Sequence, residues 1–146
     1  MPLNSRAEAT WAGNLTGGSG KINAGSSQSF KELPLSWASR TEAHAGKTNP
    51  EELLAAAHAS CYAMAFSNEL DKVGHPPESL SVSATVTADR VDNRWTVTRS
   101  VLVVRGKVPG IDAAQFKEVA EAAKDGCPIS RALQGNVELS VDATLE

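Results

Sequence analysis

Two side chains in this sequence stand out as carriers of covalent chemistry: Cys61 and Cys127, the only two thiols among 146 residues. They stand 66 positions apart, so they are not a local CxxC redox pair. Two cysteines are also too few for a common structural zinc site. They are either buried filler, since unpaired cysteine is among the most buried residue types, or a nucleophile and its partner. Residue type alone leaves both readings open. Their surroundings differ. Cys127 lies between Gly126 and Pro128 at the start of a short helix, where unsatisfied backbone N–H groups favour a thiolate. Cys61 lies inside LLAAAHASCYAMAF, an apolar helix in which burial raises a thiol pKa. A reactive Cys61 therefore needs a cation brought to it. Arg40, in the connector ahead of the helix, is the candidate.

Helical spacing separates the two acids of the first turn. At about 100° per residue, Glu51 lies roughly 80° round the helix from Cys61, whereas Glu52 is on the opposite side. Of the two, only Glu51 could hold a guanidinium near the sulfur, through a bidentate carboxylate pair. The plainer reading is that both acids serve the helix dipole. It is preferred for Glu52 and left open for Glu51. Of His44, His58 and His75, His58 stands three positions before Cys61. A Cys–His pair is one reading, and a hydrogen-bonded core histidine is the preferred one. No HExxH, P-loop, dinucleotide glycine fingerprint or GxSxG elbow occurs.

These residues must be positioned by a long central helix from Asn49 to Gly74. Thr48 or Asn49 caps it, Pro50 suits its first turn, and Gly74 suits its end. Its apolar residues fall on every side, which predicts a helix buried all round and a dimer sharing its core. Before it, residues 6 to 33 read as two or three antiparallel strands, with Pro34 ending the ladder, and residues 38 to 48 as a polar connector. After it, SVSATVTADRV and RWTVTRSVLVVRGKV form a hairpin turning at Asp92-Asn93. DAAQFKEVAEAAKDG is an amphipathic helix capped by Asp112, with Phe116, Val119, Ala120 and Ala123 inward. CPISRALQG is a short helix and NVELSVDATLE a final strand. The plan is α+β in a single domain over residues 1–146.

Composition narrows the partners. Hydrophobic residues make up 41% and charged residues 21%, as in globular proteins, and the net charge is −3. No basic run offers a nucleic-acid surface. No stretch reaches the ~18 apolar residues that span a bilayer, and the polar opening MPLNSRAEATWAGN carries no signal segment. The chain is expected to be cytoplasmic, where paired thiols rest reduced and serve catalysis, redox sensing or metal binding.

TNPEELLAAAHASCYAMAFS, then GCPISRAL, with an arginine upstream in ASRTE, closely resembles the OsmC/Ohr family of osmotically inducible and organic hydroperoxide resistance proteins. AAAHASC and CPISRAL look more like the OsmC branch. The resemblance implies a thiol peroxidase acting in oxidative and osmotic stress, on an α+β fold of antiparallel sheets around long buried central helices. It implies an intertwined homodimer with active sites at the subunit interface. The peroxidatic cysteine maps onto Cys61, the resolving cysteine onto Cys127, the arginine onto Arg40 and the glutamate onto Glu51. No metal or bound cofactor is implied. The substrate would be an organic hydroperoxide, with hydrogen peroxide a weaker one, and the electron donor an external dithiol such as a lipoyl group on a carrier protein. Leu54, Ala57, Tyr62 and Ala65 are candidates for an apolar wall around the sulfur. A non-catalytic redox sensor and a small-molecule-binding protein sharing the fold are the alternative readings.

Overall fold

A computed structural model describes all residues except Ala43 and Ala45, and its contacts fall into two compact units, Met1–Pro50 and Glu51–Glu146. The connector expected over residues 38–48 includes those two alanines, which lie outside the described residues.

In the first unit, β1 (Ala7–Ala12), β2 (Ser19–Ala24) and β3 (Leu33–Leu35) form an antiparallel sheet in that order. The Gly- and Asn-rich stretch between β1 and β2 makes the expected hairpin. Asn14 closes it by accepting from the Gly17 N–H at 2.8 Å. Pro34 does not end the ladder: it lies inside β3, opposite Lys21. It is tolerated because β3 is an edge strand, where one N–H is not needed by a neighbour. The connector also has more order than its polar composition suggests. A helical turn, α1 (Ala38–Thr41), opens it. The Ser39 hydroxyl donates to the Ser36 carbonyl at 2.8 Å, and the Asn49 side-chain amide donates to the Ser39 carbonyl at 2.9 Å. The buried Asn49 thus ties the end of the connector back to α1.

The long helix α2 runs Pro50–Lys72, with Gly74 at φ 84° just past its end. Within this chain it is not buried all round. His58, Tyr62, Phe66 and Leu70, every fourth residue, form one fully buried ridge. Glu52, Ala56, Ser60, Met64 and Asn68 form an exposed stripe on the opposite side. Alanine makes up much of the helix, and a small side chain carries apolar character without demanding cover within one chain.

β4 (Ser79–Val91) and β5 (Arg94–Lys107) make the expected hairpin. Both turn residues, Asp92 (φ 48°) and Asn93 (φ 62°), are left-handed, as a type I′ turn requires. β6 (Glu138–Leu145) lies on the other side of β5 and runs parallel to it. This corrects the expectation of purely antiparallel sheets. The reason lies in the connection: α3 (Ala113–Gly126) and α4 (Pro128–Leu133) supply a crossover, which parallel strands need and a hairpin cannot give. Asp112 caps α3 by accepting from the Gln115 N–H at 2.8 Å, and Phe116, Val119, Ala120 and Ala123 face inward as their spacing predicts.

The core joins the α2 ridge to Leu102 and Val104 of β5 and the inner face of α3. Phe66 and Phe116 pack with ring centroids 5.1 Å apart. Each such buried side chain contributes about 1.5–3 kcal/mol. The buried Tyr62 hydroxyl is satisfied by donating to the Ala120 carbonyl at 2.6 Å.

Candidate redox site

The second unit brings the two cysteines together. Cys127 ends α3 and begins α4, with an extended backbone at φ −88° and ψ 113°. Its sulfur takes the place of the usual capping oxygen and accepts from the Ser130 N–H at 3.4 Å. Pro128 follows in the first helical turn, where its missing N–H costs nothing. Cys61 lies beside the buried ridge of α2. The Ile129 backbone N–H and the Cys127 side chain both lie close enough to its sulfur to act on its ionisation. The first turn of α4 therefore serves both sulfurs. Both are free thiols; Cys127 is fully buried and Cys61 half-buried.

Burial pushes the Cys61 thiol up from its ordinary pKa. The Ile129 N–H opposes this, while the Cys127 side chain adds to it by hydrogen bonding and by charge. The net direction is upward, so these groups by themselves hold Cys61 as a thiol. The expectation that α2 alone makes this cysteine less reactive is met.

His58 is a satisfied core histidine, as preferred from the sequence. Its Nδ1 is 2.7 Å from the Ser100 hydroxyl and its Nε2 is 2.8 Å from the Ser130 hydroxyl. Burial lowers its pKa, which favours the neutral ring. A neutral imidazole needs one donor and one acceptor, and two hydroxyls can supply either. Sequence reasoning missed both serines. A signal existed for each. Ser100 is polar at an inward position of β5, next to Leu102 and Val104, and Ser130 stands at the capping distance from Cys127.

Tyr62 does not form part of an accessible apolar wall. It is fully buried with its hydroxyl on α3, whereas Leu54, Ala57 and Ala65 are half-buried. Glu51 is half-buried in the first turn of α2 and Glu52 is exposed. Arg40 belongs to the first unit, where its guanidinium lies 5.8 Å from the centroid of the Trp37 ring. Among the described residues no group of three or more metal-ligating side chains occurs, and no helix is long and apolar enough to cross a membrane.

With this geometry, comparison with known proteins is informative. A family model described as OsmC-like protein matches residues 43–142. The chain belongs to the OsmC family. Peroxiredoxin OsmC of Escherichia coli (strain K12) is 37% identical over 139 residues, spanning 95% of this chain and 96% of that one. The organic hydroperoxide resistance protein of Xanthomonas axonopodis pv. citri is 32% identical over 96 residues, spanning 64% of this chain and 65% of that one. The longer and closer match favours the OsmC branch. Among solved structures, the organic hydroperoxide resistance protein OhrB of Bacillus subtilis superposes with a TM-score of 0.75 at 24% identity, covering 95% of this chain and 98% of that one. The OsmC-like protein from Mycoplasma pneumoniae gives 0.74 at 18% identity, covering 99% of each. The α+β OsmC fold expected from the sequence is thereby established.

Proposed function

We propose that this OsmC-family chain is a thiol peroxidase that reduces organic hydroperoxides, and hydrogen peroxide more weakly, in oxidative and osmotic stress defence. The observation that carries the reading is the meeting of a half-buried thiol with a fully buried one at the start of α4. The names of the relatives, a peroxiredoxin and an organic hydroperoxide resistance protein, support it.

In the proposed cycle the Cys61 thiolate attacks the distal peroxide oxygen. The O–O bond breaks, an S–O bond forms, and the alkoxide leaves as alcohol after taking a proton. Cys61, oxidised by two electrons, becomes a sulfenic acid. The Cys127 sulfur then attacks the Cys61 sulfur. An S–S bond forms, the S–O bond breaks, and hydroxide departs with the Cys127 proton as water. An external dithiol, of the lipoyl type, exchanges with the disulfide and restores both thiols. No metal or bound cofactor enters the cycle. Half-buried apolar residues near Cys61 (Leu54, Ala57 and Ala65) suit the organic part of the substrate.

Arg40 is proposed as the cation that offsets burial at Cys61, with Glu51 orienting it. Supporting this, the surroundings of Cys61 within its own unit push its pKa up, so a thiolate at neutral pH requires a positive charge. Arg40→Ala is expected to move the pH profile of Cys61 alkylation to higher pH. A profile that stays in place would assign the role to another cation. The protein is further proposed to be one cytoplasmic domain over residues 1–146 that works as an intertwined homodimer. The solvent-facing Met64, 69% exposed, and the half-buried apolar residues of α2 support a second copy as cover. Light scattering should return about twice the 15.3 kDa chain mass; a monomer at working concentration would rule the dimer out.

A further inference from the structure

The proposed cycle makes no use of His58, although among the described residues it is the only fully buried histidine and its two hydrogen bonds reach two other elements. At 0% exposure the ring on α2 touches Ser100 of β5 through Nδ1 and Ser130 of α4 through Nε2. Ser130 is itself 1% exposed, and its backbone N–H donates to the Cys127 sulfur. One residue therefore uses its side chain to hold α2 and its main chain to hold the second thiol. His58 is also one helical turn before Cys61, so its fixed ring sets the rotation of the helix that carries the first thiol. The chain of contacts runs from β5, the rigid centre of its sheet, through His58 and Ser130, to Cys127.

We propose that His58, Ser100 and Ser130 are positioning residues for disulfide closure: they clamp α4 against α2 so that the Cys127 sulfur is held in line with the sulfenic acid on Cys61. The proposal rests on Cys127 being the resolving cysteine. The step served is the one in which the S–S bond forms, the S–O bond of Cys61 breaks and water leaves. The physical case is that closure needs two sulfurs approached along a defined direction, and small misplacements of reacting groups cost rate steeply. An apolar residue at 58 would pack the ridge equally well. A histidine there, with both nitrogens engaged, fixes α4 in position and rotation as an undirected apolar contact would not. The clamp touches neither peroxide nor the reacting sulfurs through its side chains, so its loss should slow closure far more than the first step.

The test is rapid-quench intact mass after one equivalent of cumene hydroperoxide, on the wild-type chain, Ser130→Ala and Ser100→Ala. Sulfenic acid formation and its conversion to the disulfide are timed separately. In Ser130→Ala, which keeps the backbone N–H to Cys127, closure is expected to slow by about tenfold, the rate equivalent of one buried hydrogen bond. Sulfenic acid formation should stay within about twofold. Ser100→Ala frees only the far nitrogen of His58 and should slow closure by a smaller factor, about threefold, giving a reading even if Ser130→Ala folds poorly. A clamp with a purely structural role would lower the melting temperature and leave the two rates in their wild-type ratio, which would overturn the proposal. A wild-type chain that accumulates sulfenic acid and never closes the disulfide would instead overturn the resolving role of Cys127, and with it the basis of the clamp.

Discussion

Cys61→Ser is expected to abolish turnover of cumene hydroperoxide with a dithiol reductant, lowering the rate by more than about a thousandfold. A serine hydroxyl fits the same half-buried place on α2, and the core beside it, Tyr62 and Phe66, is untouched. Fold should be kept while the nucleophile is lost, because the hydroxyl does not ionise in this pH range and cannot carry oxygen as a sulfenic acid. Hydroperoxide consumption and circular dichroism on the same sample measure both. Retained turnover in a folded Cys61→Ser chain would end the peroxidase mechanism as written. The sensor and small-molecule readings are separated by the same assay: a sensor forms the disulfide yet turns over slowly with every reductant, and a binding protein forms none.

Cys127→Ser is expected to look different in kind. Serine is among the best capping residues, so α4 should keep its start, with a hydroxyl accepting from the Ser130 N–H in place of the sulfur. The first equivalent of peroxide should still be reduced within about twofold of the wild-type rate, since Cys127 is not the attacking atom in that step. The sulfenic acid then has no resolving partner in its chain. Intact mass should show it advancing to the sulfinic state as peroxide rises, and multiple turnover should fail. Sustained multiple turnover without over-oxidation would remove the resolving role. One substitution here also acts on Cys61 directly: the Cys127 side chain raises the Cys61 pKa, so its removal should move Cys61 alkylation to lower pH.

Much of this site was legible before any coordinates. The α3 face and its Asp112 cap follow from local spacing and one side-chain hydrogen bond, and both are seen. The Asp92-Asn93 turn follows from the two residue types that best tolerate positive φ. The thiol at the start of α4 was read from Gly126 and Pro128 alone. What was not legible depends on partners distant in sequence. The direction of β6 is set by the α3–α4 crossover that carries the chain back to the start of β5, and SVDAT alternates identically either way. Pro34 reads as a terminator unless its strand is known to be an edge. The ridge on α2 could not be chosen from a helix with apolar residues on all sides; the facing Phe116 and Leu102 choose it. His58 was read as satisfied, but its partners, 42 and 72 positions away, were not nameable.

The unequal burial of the two sulfurs has a consequence for traffic. Cys127 is sealed in the core and Cys61 stands at the margin between the buried ridge and the outer face of α2. In the proposed cycle, an incoming dithiol would therefore meet the Cys61 sulfur of the disulfide and expel Cys127 as the leaving group. The oxidant earlier in that cycle would meet the same sulfur. Peroxide and reductant would thus share a single doorway and take turns at it, each leaving before the other enters. A chain working this way would alternate between two stable chemical forms, and the scarcer visitor would set the pace.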